Sequence, residues 1–456
     1  MMRAAACALA LTCFSAPALG QESFDALAAR AADLAHRAQV LEDERAIENL
    51  TRAFGFYIDR GAWSEAAALF AEDGTFETSQ HGVYVGPEQI RALLEQALGP
   101  EGLVEGRMSD ALVLQPVIHV GADEATARAR ARGVFLLGRH EEEALWTDGV
   151  YENAYVKEDG VWKFQTVNLF LTLLTDFNEG WGESALPMGA FDDPPPDHPP
   201  TVEYEAYPTY FVAPFHYPNP GSGEPVRYRP DSTAAVALFD PAASAPPARA
   251  YADLDALEVA VADAEHKAAR AANRDAIDRL IRAYGYYLDK NLWDELADLF
   301  AEDGSMELAQ RGVYQGRERV RAFLHTQFGA EGPAQGRLGD HLQLQPVITV
   351  ADDGMTAKAR SRMISIMAFD GRGGSLNGAL YENAFVKEDG VWKFKTLHAF
   401  NTYNAGYDGA WAFDARPGMP GPNANLPPDA PPTVAFEGFP NVYEIPFHYP
   451  NPVTGE

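Results

Sequence analysis

"YENAYVKEDGVWKF" at 151–164 and "YENAFVKEDGVWKF" at 381–394 differ at a single position, 155 against 385. Such a recurrence makes the chain a duplication, and a duplication must be found before any fold is assigned. Asp-Gly in the middle supplies the positive-φ pair of a tight hairpin, so each copy reads as two antiparallel strands around a turn. Working outward, "YIDRGAWSEAAALFAEDG" (57–74) matches "YLDKNLWDELADLFAEDG" (287–304), and "HGVYVGPEQIRALL" (81–94) matches "RGVYQGRERVRAFL" (311–324). The offset of 230 between Asp59 and Asp289 holds through Phe164 and Phe394. "PFHYPNP" closes both units, at 214–220 and 446–452.

Periodicity changes partway through each unit. Ile277, Leu280, Ile281, Tyr284, Tyr287 and Leu288 recur at helical spacing. "WDELADLFAED" and "RERVRAFLHTQF" predict two more helices. Alternating stretches follow: "HLQLQPVITV", "TAKARSRMISIMAF" and "ALYENAFVKEDGVWKFKTLHAF". Three helices and then long strands give an α+β layout in which the helices cover one face of a curved, mainly antiparallel sheet. The organisation expected is a signal peptide (1–20), a first domain (21–180), its extension (181–230), a linker (231–250), a second domain (251–410) and a second extension (411–456).

The apolar run after Arg3, ending in small residues at Gly20, predicts an exported chain, periplasmic or secreted. Both cysteines, Cys7 and Cys13, lie inside it, leaving the mature chain without disulfide or thiolate chemistry. A formal charge of −30 disfavours nucleic acid and anionic membranes as partners. Histidines do not fall at metal-ligand spacings and no HExxH occurs, so neither metal nor cofactor is expected.

This order of elements, with "DGVWKF" in a late hairpin, resembles the SnoaL-like, scytalone dehydratase-like branch of the nuclear transport factor 2 superfamily, over roughly 43–175 and 273–405. The resemblance implies two tandem cones with apolar cavities, a fold shared by cyclases, isomerases, dehydratases and non-catalytic modules. Fold therefore supplies the cavity and leaves the chemistry open. It also implies that Asp59 and Asp289, four residues before Trp63 and Trp293, hold the place of a catalytic aspartate, and that His341 holds that of a catalytic histidine. Glu152 and Glu382 match a substrate-binding asparagine. The tyrosine beside the family's aspartate is replaced by Ile58 and Leu288, with Tyr57 and Tyr287 one step away. A second tyrosine is replaced by Glu77 and Glu307, and a second histidine by Leu136 and Ile366.

The strand "GDHLQLQPVITV" (339–350) sharpens the comparison with "SDALVLQPVIHV" (109–120). His341, Gln343 and Gln345 share one strand face, where the first unit has Ala111, Val113 and Gln115. Two polar groups became apolar together, as on an enclosed face. One competent site is therefore expected, in the second unit: Asp289 and His341 transfer protons, Glu382 polarises a substrate oxygen and Tyr287 orients it. Trp293, Glu307 and Asn383 are expected to contact substrate. Asp59, Tyr57 and Glu152 form the weaker first-unit counterpart. Glu382 lies among Leu380, Ala384 and Val386 on its strand face; either it faces the cavity or it pairs with Arg360 or Arg362. The activity expected is a cofactor-independent lyase, dehydratase or isomerase acting on a small apolar, aromatic or cyclic substrate, the two units forming an internal pseudo-dimer or a homo-oligomer. The alternative is a non-catalytic module that binds a hydrophobic ligand.

Overall fold

The computed structural model describes residues 23–189, 194–228 and 238–456. The signal peptide expected at 1–20 lies outside the described residues. The first unit runs α1 (Phe24–Arg60), α2 (Trp63–Ala67), β1 (Phe70–Thr78), β2 (Val83–Val85), α3 (Gly86–Leu98), β3 (Arg107–Val120), β4 (Thr126–Arg139), β5 (Glu143–Glu158) and β6 (Val161–Asp176). The second repeats it: α4 (Leu254–Asp289), α5 (Trp293–Ala297), β7 (Phe300–Leu308), β8 (Val313–Gln315), α6 (Arg317–Phe328), β9 (Arg337–Val350), β10 (Thr356–Phe369), β11 (Gly373–Glu388) and β12 (Val391–Gly406), with a short α7 (Ala410–Phe413) after the sheet. These are two tandem α+β cones. No helix among the described residues is long and apolar enough to cross a membrane.

Each sheet has six strands, ordered β2-β1-β6-β5-β4-β3 and β8-β7-β12-β11-β10-β9. All pairs are antiparallel except β1 with β6 and β7 with β12. The β5–β6 hairpin turns at Asp159 and Gly160, both at positive φ, as the Asp-Gly pair predicts. The buried stripe Ile277, Ile281 and Tyr284 of α4 packs with Ala359, Met363, Tyr381 and Phe394 from the inner face of its sheet. Trp293 is sealed in this core and its indole donates to Gly329 O at 3.0 Å; Trp63 does the same with Gly99 O at 2.9 Å. These tryptophans fix the start of a short helix to the end of the next one, so Trp293 has no surface with which to touch a substrate.

The extensions wrap the sheets. Val83 bridges to His198 and Val313 to Ala430, covering the edges left by β2 and β8. Glu77 accepts hydrogen bonds from Thr201 N (2.8 Å) and its hydroxyl (2.6 Å), and Glu307 likewise from Thr433 N (2.8 Å) and hydroxyl (3.0 Å). Glu307 is thus the anchor of an extension, not a substrate ligand. Further along, each arm crosses the outer face of its own sheet. Arg130 pairs with Glu152 and donates to Pro214 O, while His216 lies 2.8 Å from Glu152; Arg360, Glu382, Pro446 and His448 repeat the set.

The contact between the units is one-sided. Up to about their middle turns α1 and α4 run parallel, and just beyond they are joined by Arg45–Asp275 and Arg274–Glu48. Beyond them, the outer face of the second sheet and its extension close over α1. Arg52 donates to Pro346 O at 2.7 Å, and Gln345 Nε2 to Arg52 O at 2.9 Å. Arg360 and Arg362 lie over the Phe56 ring, Tyr57 packs on Phe447, and Asn451 bonds Glu65. Trp411 of α7 reaches the outer face of the first sheet and donates to Leu137 O at 2.7 Å, in a cluster with Leu136 and Tyr403.

Replacing Glu307 by Ala leaves the Thr433 amide without its acceptor, a loss of ~1–3 kcal/mol. The variant is expected to melt at lower temperature and to be cleaved faster by protease within its final fifty or so residues; an unchanged digestion pattern would remove the anchoring role.

Candidate active site

The last turn of each long helix carries an aspartate, Asp59 in α1 and Asp289 in α4, aimed at the same place in each cone, and the surroundings differ. Asp289 is the last residue of α4. Its Oδ1 accepts the backbone N–H of His341 at 2.7 Å and lies 2.8 Å from the His341 Nδ1. An ionised carboxylate only accepts, so Nδ1 is the donor in this contact, and in the neutral imidazole the lone pair then falls on Nε2. Among the described residues no group hydrogen-bonds to that Nε2, and the imidazole keeps 12 % of its surface exposed. Gly285, one turn before Asp289, permits this approach: a Cβ there would sit 2.7 Å from His341 O.

Asp59 repeats the backbone contact, accepting Ala111 N at 2.5 Å. No imidazole follows it, and the carboxylate is buried. A buried charge needs a partner. Arg362, from the outer face of the second sheet, supplies it by pairing with both Asp59 and Asp110. The first aspartate is therefore neutralised by a guanidinium from the other unit and has no base beside it. A cavity of about 340 Å³ remains next to it, walled by Ile58, Met108 and Leu145 on one part and by Gln96, Arg107 and Glu143 on another.

The lining of the second cone completes the contrast. Strand pairing sets His341 opposite Ser365, Gln343 opposite Met363 and Ser361 opposite Tyr381, all on the inner face. At five inner positions where the first unit has Phe54, Ala111, Val113, Ala131 and Phe135, the second has Tyr284, His341, Gln343, Ser361 and Ser365. Ser361 Oγ is buried without a hydrogen-bond partner, and Gln343 Nε2 has only the Tyr381 phenol near it, outside good hydrogen-bond geometry. Unsatisfied buried polar groups are costly, so this wall has hydrogen-bonding capacity to spare. Tyr284 and Tyr381 meet edge to face at 6.0 Å; burial pushes both phenols up, so both stay protonated donors. Burial also draws the guanidinium of Arg311, which faces Tyr284, below its ordinary range.

Of the residues expected to act, the structure joins Asp289 and His341 only. Glu382 pairs with Arg360 on the outer face, where His341's neighbours Leu342 and Leu344 also point. It cannot polarise a substrate in the cone, and Glu152 is placed the same way by Arg130. Tyr287 is half-buried against the second core without a hydrogen bond to Asp289 or His341, while its counterpart Tyr57 is turned onto Phe447, 5.3 Å away. Asn383 lies on the inner face, but its Oδ1 holds His398 N at 3.2 Å. Tyr284, Ser361 and Ser365 were not singled out as site residues from the sequence; subtracting 230 from each polar residue of the second unit's long helix and strands would have exposed them. The one cluster with metal-like spacing among the described residues, Asp294, His325 and Glu331, is on the surface, with Arg321 already 3.1 Å from Asp294.

The chain belongs to the SnoaL-like domain family, whose model matches residues 39–168 and again 269–398. Among solved structures it is similar to a protein assigned as a scytalone dehydratase from Novosphingobium aromaticivorans (25% identity, 34% of this chain and 96% of that one, TM-score 0.28). It is also similar to a type 3 hexachlorocyclohexane dehydrochlorinase from Novosphingobium barchaimii (20% identity, 30% and 92%, TM-score 0.27). A third likeness is to an NTF2-like protein with a cystatin-like fold from Novosphingobium aromaticivorans (20% identity, 33% and 90%, TM-score 0.26). No curated protein matches the chain.

Asp289→Asn tests the pairing directly. Nitrogen-15 NMR of the imidazole should report a proton fixed on Nδ1 of His341 in the native chain and a mixture of tautomers in the variant. A mixture already present in the native chain would dissolve the proposed arrangement.

Proposed function

We propose that the second cone is a cofactor-independent lyase site in which His341, held by Asp289, removes a proton from carbon and returns it to the departing group. The observation that carries this reading is the 2.8 Å contact between His341 Nδ1 and Asp289 inside the cone, with Nε2 left free. An imidazole titrates near neutrality, which suits a base that must accept and then give up a proton. In an elimination the Nε2 lone pair takes the proton α to an activating group. The C–H electrons form the double bond, the β-substituent leaves with its bonding pair, and the imidazolium protonates it. Gln343, Ser361 and the tyrosine pair offer hydrogen bonds to the oxygen on which charge develops. Isomerisation uses the same parts, with the proton returned to another carbon.

Acyl hydrolysis through a serine fits less well. Ser365 stands across the strand pair from His341, but its hydroxyl accepts from Asn377 Nδ2 at 3.1 Å and makes no bond to the imidazole. The nucleophile–base contact that such chemistry needs is missing. In this reading the first cone is the non-catalytic partner: it has the aspartate without the histidine, and its cavity is of mixed character, with Gln96, Arg107 and Glu143 standing among the apolar side chains. The substrate class is a small cyclic or aromatic molecule with one oxygen function. Export belongs to the same proposal and rests on residues 1–20; amino-terminal sequencing of periplasmic protein should begin near Gln21.

The test uses a panel of cyclic β-hydroxyketones and β-haloketones, followed by ultraviolet detection of the enone. His341→Ala is expected to lower kcat by roughly 10²–10⁴-fold. Glu382→Gln, which touches only the outer face, should lower the melting temperature and leave kcat within a few-fold. Equal turnover by native protein and His341→Ala would defeat the mechanism, and a loss in Glu382→Gln as large as that in His341→Ala would return Glu382 to the site.

A further inference from the structure

The two units are copies, yet the contact between them uses mainly different faces of each: the α1 side of the first, with Leu136 and Leu137 of its sheet, and the outer sheet face and α7 of the second. Every copy therefore owns both faces, and one of each is left over. The unused pair consists of the α4 side of the second unit, together with Ile366 on its sheet, and the part of the first sheet's outer face around Gln115, Pro116 and Arg132 that Trp411 does not reach. Their residues correspond to those of the internal contact. Arg52, Pro346 and Gln345 have Arg282, Pro116 and Gln115 as counterparts, and Glu65 with Asn451 has Glu295 with Asn219. Phe56 beneath Arg360 becomes Tyr286 and Arg130; Trp411 against Leu136 becomes Trp181 and Ile366.

The leftover faces are open. Tyr286 is 73% exposed and Trp181 57%, with Ile366 at 40%, whereas Phe56, Trp411 and Leu136 are buried at the internal contact. Apolar side chains of this size, rimmed by matched polar groups, mark an interaction surface. We infer that the outer sheet face of the first unit docks on the α4 side of the second unit of another copy of this chain, head to tail, repeating the internal contact. Contacts of this kind join different patches and so propagate, closing into a ring where the rotation allows. One pairing changes. Asp289 already holds His341, and Arg132 is at present 2.8 Å from Asp148, a position occupied by Gly378 in the second unit. On docking, Arg132 of the incoming copy meets Asp340, the counterpart of Asp110, beside the Asp289–His341 pair.

Sedimentation and mass photometry of the mature chain test this, with Tyr286→Glu and Trp181→Glu as single-face variants whose folding is checked by circular dichroism. The native chain is expected to form dimers or larger multiples at micromolar concentration, and each variant alone to be monomeric. An equimolar mixture of the two should form dimers and nothing larger, because each retains the face the other lacks. A monomeric native chain up to 100 micromolar, association of either variant by itself, or a mixture that stays monomeric overturns the inference.

Discussion

A carboxylate at the end of a long helix, pressed against a strand and withdrawn from water, is the constraint around which both units are arranged. Helix geometry brings Asp59 and Asp289 to that place, and the backbone N–H of Ala111 or His341 accounts for one oxygen of each. The remaining charge requires a cation or a strong donor. In the second unit an imidazole on the same strand answers the need and gains a defined tautomer in return. In the first unit that imidazole is absent, and the need is met by Arg362 from the neighbouring sheet. The presence or absence of one imidazole thus separates a carboxylate–histidine pair from an ion pair between the units, and that ion pair is one of the contacts that fasten one unit to the other.

Much of this was legible in residues. The repeat at an offset of 230, the helical stripe of Ile277, Ile281 and Tyr284, and the Asp-Gly hairpins define two α+β cones without coordinates. The shared parity of His341 and Gln343 identified an inner face, because two neighbouring positions on one side of a strand turned apolar together. Glu382 shows where such reasoning stops. Alternation states which residues share a face, never which face is inside, and Glu382 with Leu380 lies outside. The cover that made Leu380 look like a cavity residue comes from the first unit and from the extension, far away in sequence.

Trp293 and Glu307 were misplaced for a related reason. A tryptophan near a functional aspartate and a glutamate beside a strand edge both invite a ligand. Their partners, Gly329 O and Thr433, are 36 and 126 residues away, and only the closed fold brings them together. Arg362 is the strongest instance. Its alternating context reads as a charged outer face, which is correct for Arg132, and nothing local announces that 303 residues separate it from its carboxylate.

The hydrophobic core of the first unit includes Phe436, Ile445 and Tyr449, which are among the last residues of the chain. During synthesis the ribosome therefore releases a first unit whose α1 face and Asp59 are still uncovered, and which stays so while more than two hundred further residues are made. The domain that is translated first is the one finished last. A chain stopped before the second sheet is complete is expected to expose Phe56, Tyr57 and an uncompensated carboxylate together.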